Sequence, residues 1–375
     1  MQHWSTLKIS LKMRPEWIVL IIGTVLRVIA AYWNAYIKPL IGSEYDAQGF
    51  HNGALNIANK AYTAYSIEQS YMYFLGFIYR FTGVSTQFFG SLISCTAWFL
   101  STVVLIQILN ELDITKQKII GIIFYVLLPS SIVYTSLTMR EPFMLLAINC
   151  IVLSLLNLSK HNEIYLNGFI LILFSVIIVL LNISFITCIA FIMTSILIIK
   201  FTKNKSINYI LLIASLSLCL YFLITILPLY EVYENNIIDI INARQNHFQK
   251  FARASYDNGV ITDSMYSFAK FIVISFINYM IQPIEISKMI FKDYLLLLEN
   301  LIRIGMFFLA LIALIKSMVL NNIKYIFLFF TYLIIELTWA SYTINWGTAV
   351  RHHLPSFGIL TVLSIYAVNF GKNAP

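Results

Sequence analysis

The sequence predicts an all-α, polytopic transmembrane bundle of about ten spans. Three observations predict it. Of 375 residues, 59% are hydrophobic and 11% charged, with a mean hydropathy of +0.80, whereas a soluble domain carries about 25% charged residues. The apolar residues come in blocks as long as a bilayer crossing, which takes roughly 20 residues of helix. Short lysine-bearing connections and two long stretches of mixed charge separate the blocks.

In chain order the blocks are 17–35, 86–109, 119–136, 142–158, 164–181, 184–200, 207–227, 293–315, 323–341 and 353–370. The apolar run 164–200 is too long for one crossing, and Asn182-Ile183-Ser184 is its natural break. Segments 70–83 and 267–284 are apolar but ambiguous, each a short span or a helix lying in the interface. No internal repeat of the kind many transporters carry is visible, and the whole chain 1–375 reads as a single integral-membrane domain. The first apolar run has no small-residue cleavage site, so no cleavable signal peptide is expected.

Basic residues set the orientation. With a cytoplasmic N-terminus, Lys8, Lys12, Arg14, Lys116, Lys118, Lys160, Lys200, Lys203, Lys205, Lys316, Lys324 and Lys372 all fall inside, as the bias of short loops requires. That count makes both ambiguous segments interfacial and places both termini in the cytoplasm. Two long loops, 36–85 and 228–292, then face outward with interfacial helices, as do the short connections 137–141 and 342–352. The net charge of +8 reflects this topology rather than a nucleic-acid partner. Cys95, Cys150, Cys188 and Cys219 lie in apolar runs without zinc or disulfide spacing. A bare anchor has no use for long, charged outer loops, so a site is expected at the outer membrane–water boundary.

Four stretches carry residues able to do chemistry there. In the first outer loop, Glu44-Tyr45-Asp46 runs into His51 and a helical pattern with Phe50, Ala54 and Ile57 on one face. Such a helix would hold Asp46 at the water–lipid boundary. The plainer reading makes Glu44 and Asp46 helix-start residues, which acids favour. Next, Arg140-Glu141-Pro142 closes the third span, with Pro142 suited to a first helical turn. Arg140 offers a planar fork for a phosphate and Glu141 an orienting carboxylate, unless both are simple interfacial anchors. Third, Arg351-His352-His353 stands at the outer end of a span against the positive-inside trend. That placement suits an anionic lipid head group, whereas two adjacent histidines make a poor metal pair. Fourth, Arg244 and Lys250 give a basic flank to a helical pattern in loop 228–292, either a plain surface helix or a lid over a groove.

Charges also fall inside spans. Arg303 and Glu299 have the spacing of an intrahelical pair, and Glu336 is a candidate partner for Arg27.

Taken in order, Glu44 to Ala58, Ser70 to Gly83, Pro129 to Pro142 and Arg351-His352-His353-Leu354-Pro355 resemble the GT-C superfamily of integral-membrane glycosyltransferases. The likeness is to the bacterial members that assemble surface polysaccharide, including Wzy-type O-antigen and capsule polymerases. Every motif is short and none is diagnostic alone. The resemblance implies a GT-C-like bundle in the bacterial inner membrane and a polyprenyl (pyro)phosphate-linked saccharide donor on the outer, periplasmic face. It also implies a saccharide acceptor, inverting transfer and contact with other polysaccharide-assembly proteins of the membrane. The family's first-loop acid falls on Asp46, with Glu44 as the alternative. Its phosphate-binding bases fall on Arg140 and Arg351, with Arg244 or Lys250 as further candidates. Where the metal-dependent branch carries paired acids after the third span, this chain has Arg140-Glu141, so no cofactor is expected and a divalent metal lacks support.

These residue types suit the chemistry. A polyprenyl phosphate leaves readily, so the protein must take a proton from an acceptor hydroxyl and stabilise the departing phosphate. Polymerisation of lipid-linked repeat units and transfer of one sugar from a polyprenyl monophosphate both fit, with polymerisation preferred. A lipid-linked oligosaccharide flippase is the non-enzymatic alternative, and it should line a central cavity with its charges.

Overall fold

A computed structural model describes residues 14–40, 46–60, 69–114, 117–160, 162–201, 214–215, 254–256, 265–283 and 289–368. The regular elements among them are helices: α1 (Pro15–Tyr36), α2 (Asp46–Ala58), α3 (Ser70–Thr82), α4 (Gln87–Glu111), α5 (Lys118–Leu127), α6 (Pro129–Thr135) and α7 (Glu141–Ser159). They continue as α8 (Ile164–Leu181), α9 (Phe185–Phe201), α10 (Met265–Ile281), α11 (Phe291–Val319), α12 (Ile323–Tyr342), α13 (Trp346–His352) and α14 (Phe357–Val368).

Among the described residues, six helices are long and apolar enough to cross a membrane: α1, α4, α7, α8, α11 and α12. The count is seven if α5 and α6 form one span, bent by 56°. The expected block 207–227 lies outside the described residues apart from Ser215 and Ala214. The expected block 119–136 is broken at a proline. Leu128 has an extended ψ of 130° before Pro129, as sterics at the residue preceding proline demand. Block 353–370 is shortened to the 12-residue α14, which follows a turn containing Pro355, while α13 forms within the expected connection 342–352. The break expected at Asn182–Ser184 separates α8 from α9.

Among the described residues a large hydrophobic cluster runs through the bundle beside two small ones, with α7 packed on α4 and α8, α1 on α4, and α11 on α14. The short α2 and α3 pack on each other at one end of the bundle. Their contact depends on Gly76, where a Cβ would stand 2.8 Å from the Ala54 carbonyl oxygen. Helix α3 ends at Gly83, whose φ of 70° is a left-handed cap that glycine adopts without strain.

Ion pairs define the far end. Lys118 bonds Glu16 at 3.1 Å and Asn110 at 2.7 Å, and Lys160 bonds Glu111 at 2.8 Å. The starts of α1 and α5 therefore share an end with the ends of α4 and α7. The start of α7 stands at the other end, near α13 and α2.

Candidate functional site

Helix α13 carries the residue that organises this end. Its start is fixed by Asn345, whose side chain accepts from the Gly347 amide at 2.8 Å and the Thr348 amide at 3.4 Å. The preceding strand-like turn is gripped by residues 254–256. The Tyr256 amide donates to Ile344 at 2.9 Å, the Trp346 amide to Ala254 at 3.1 Å, and the Tyr256 hydroxyl to Thr343 at 2.8 Å. The Trp346 indole donates to Asp293 at the start of α11, at 3.4 Å.

From this held helix, Arg351 reaches two carboxylates far away in sequence. Its Nη1 pairs with Asp46 Oδ2 on the first turn of α2, and its Nε lies 3.0 Å from Glu141 Oε1 on the first turn of α7. Burial opposes the charge on Arg351, but Glu141 and Asp46 outweigh it and hold its pKa above the ordinary arginine value. The two acids differ in access. The Glu141 side chain is 1% exposed, and its Oε2 has no hydrogen-bond partner among the described residues. The Asp46 side chain is 53% exposed, so it alone of the pair meets solvent freely. Arg140 lies beside them. It donates to the carbonyl of Leu181 at the end of α8 at 2.9 Å, and its guanidinium carbon sits 5.8 Å from the Phe50 ring centre. A cation there complements the unsatisfied carbonyls of a helix C-terminus.

Of the residues that sequence reasoning selected, the fold thus brings together Asp46, Glu141 and Arg351, with Arg140 adjacent. Asp46 also stands in the first turn of α2, as its helix-start reading expects. Others are spent elsewhere. His51 shares a hydrogen bond with the Tyr79 hydroxyl at 2.9 Å, and burial lowers its pKa. His352 is buried, bonds Thr343 at 2.8 Å and stacks on Trp339 with centroids 3.8 Å apart. Its burial, then Arg351 and Arg140, keep its pKa well below the usual histidine range. His353 is buried against Glu336 at 2.6 Å and Tyr279 at 4.1 Å between ring centres. Glu44, Arg244 and Lys250 lie outside the described residues. Among the described residues, no group of three His, Cys, Asp or Glu is placed to hold a metal ion.

The pairing of Arg27 with Glu336 does not form. Glu336 takes His353 and the Ser356 hydroxyl instead. Arg27 donates to Thr135, Ser131, Gly23 and Val126 and lies 3.4 Å over the Trp98 ring. Apart from Gly23 of α1 itself, the acceptors lie on α5 and α6, on either side of their bend, and Trp98 lies on α4. Arg303 does pair with Glu299, at 2.6 Å.

Sequence reasoning missed the contact of Arg140 with Phe50, the bond of Trp346 to Asp293 and the 254–256 grip, because each joins segments distant in sequence. Pro129 inside an apolar block was a readable sign of the broken span.

Compared with known protein families, with characterised proteins and with solved structures, the chain matches none.

Proposed function

We propose that the chain is an integral-membrane glycosyltransferase of GT-C type that uses a polyprenyl (pyro)phosphate-linked saccharide, and that it polymerises surface-polysaccharide repeat units. The observation that carries the reading is the convergence of Asp46, Arg351 and Glu141 at one end of an apolar bundle. The lysine-bearing connections lie at the other end. The positive-inside bias supports reading the cluster's end as the outer, periplasmic one in a bacterial inner membrane.

In this reading Asp46 is the base. Arg351 aims it through their ion pair, while its exposure leaves an oxygen open to an acceptor hydroxyl. The proton passes from that hydroxyl to Asp46 as the hydroxyl oxygen bonds the anomeric carbon. The bond from that carbon to the phosphate oxygen breaks, and its electron pair leaves with the phosphate. Arg140 meets the new charge with its planar fork, assisted by the positive edge of Arg351. Glu141 is the buried counter-charge that holds Arg351 in place. His352, the last residue of α13, and His353 after it are buried against Trp339 and Glu336, and act as packing residues rather than as direct phosphate ligands.

Assay with synthetic polyprenyl-pyrophosphate repeat units tests this directly. Asp46→Asn is expected to lower turnover by about 10²–10⁴-fold with donor binding retained, since the shape survives and the proton acceptor does not. Glu44→Gln is made in parallel, because Glu44 is the alternative base. Full activity in both single variants and in the double variant removes the carboxylate base and with it this reading. Chain growth distinguishes polymerisation from single-sugar transfer, and movement of the lipid-linked substrate without bond formation identifies a flippase.

A further inference from the structure

Arg27, Glu299 and Arg303 are buried charges that the proposed chemistry does not use. All of them converge on one feature, the 56° bend between α5 and α6. The break at Leu128-Pro129 strips partners from the last carbonyls of α5 and the first amides of α6, a cost that apolar surroundings do not forgive. The three side chains meet that demand in a polarity-matched way. Arg27 Nη1 donates to the Val126 carbonyl at 3.0 Å at the C-terminal end of α5. Glu299 accepts from the Ser130 amide at 2.9 Å and from its hydroxyl, at the N-terminal end of α6. A cation thus stands at a helix C-terminus and an anion at an N-terminus, the favourable sense for both dipoles.

The grip extends along α6. Arg27 Nε donates to Thr135 at 2.6 Å and Nη2 to Ser131 at 2.9 Å, so one guanidinium spans the bend and the far end of the half-helix. Arg303 Nη2 bonds both Glu299 at 2.6 Å and the Ser130 hydroxyl at 2.8 Å, balancing the carboxylate. Beyond Thr135 the chain needs only the residues 136–140 to reach Glu141, and Tyr134 on α6 donates to Gly347 of α13 at 3.3 Å.

We propose that Arg27 and the Glu299–Arg303 pair are positioning residues that lock the bend of the broken span and thereby place the Arg140–Glu141 segment against Arg351. Glu299 and Arg303 are then more than an intrahelical pair, and Arg27 needs no carboxylate because four oxygen acceptors and the Trp98 face take its place. The inference rests on the glycosyltransferase reading only where it treats this segment as part of a reacting site.

The test reads the segment itself. Thr138→Cys is placed in the full chain, where Thr138 is fully buried, and Ser317→Cys serves as a buried control near the far end of α11. Labelling of each by a membrane-impermeant maleimide is followed by peptide mass spectrometry in detergent-purified protein. Two changes are introduced separately: Arg27→Lys, which keeps the charge but not the fork, and Glu299→Gln with Arg303→Met, which leaves no uncompensated charge. The expected result is labelling at position 138 about ten- to hundredfold faster in each, with position 317 unchanged. Unchanged labelling at 138, or equal acceleration at 138 and 317, overturns the proposal, the second because it means general loosening. If the double change does not survive purification, Arg27→Lys decides alone. Because no sugar transfer is measured, the two ideas fail separately. An inactive natural chain whose variants label as expected sinks the enzymatic reading and leaves the brace, while active protein with unmoved labelling does the reverse.

Discussion

Arg351 shows how much one side chain can settle. It is shared by an exposed and a buried carboxylate, so the two acids have unequal worth to stability. Arg351→Met leaves Glu141 buried without its cation and is expected to cost about 3–5 kcal/mol. Asp46→Asn removes a half-exposed partner and is expected to cost less than about 1 kcal/mol. Thermal unfolding in detergent compares them, and equal losses would contradict the assignment of Glu141 as the anchor. His352 supplies a pH dependence. Its pKa is depressed in the folded protein by burial, Arg351 and Arg140, so below the ordinary value of 6.5 the unfolded chain takes up a proton that the folded chain refuses. Stability is therefore present above that pH and lost as pH falls through and below it, by up to about 1.4 kcal/mol per pH unit. His51, lowered by burial, acts in the same direction. His352→Phe retains an aromatic face for Trp339 and should flatten the decline. A profile identical to that of the natural chain would assign the titration elsewhere.

At the scale of elements, apolar blocks located the helices and Asn182–Ser184 one break, whereas the break at Pro129 came with the structure. The helical face of Phe50, Ala54 and Ile57 was readable because it is local, and α2 presents Ala54 and Ile57 to Gly76 of α3. Gly76→Val would drive a side chain into the Ala54 carbonyl and Ile57, parting α2 from α3. Because Asp46 begins α2, this is expected to weaken its pairing with Arg351, seen as reduced transfer activity together with a lower unfolding temperature. Tyr256→Phe removes only the hydroxyl bonded to Thr343, and should cost about 1 kcal/mol of stability. The 254–256 grip was illegible in advance, since a three-residue contact across nearly ninety positions leaves no periodic trace.

For the whole molecule, orientation is the consequence with the widest reach. Reporter tags after Lys118, Lys203 and Lys372 are expected in the cytoplasm, and those near Asp46 and Asn258 outside. A cytoplasmic tag at Asp46 would remove the argument for a donor on the outer leaflet. The membrane class and the helical class were legible from composition and block length, because lipid admits few backbone solutions. The span count was less so. Apolarity marks which residues tolerate lipid, whereas helix length along a straight axis depends on where prolines bend the chain.

The sequence by itself determined that this is a helical membrane protein, that its basic connections alternate with mixed-charge loops, and that Asp46, Arg140, Glu141 and Arg351 stand at helix ends. Those properties are local, and local spacing and hydropathy encode them. Only the tertiary structure decided which of these residues meet, that Arg27 turns to the bend and not to Glu336, and that His352 stacks on Trp339 while His353 pairs with Glu336. The physical reason is that a charge buried in an apolar bundle takes whichever partner the packing brings within about 3 Å, and packing among distant helices is not written in the spacing of any one of them.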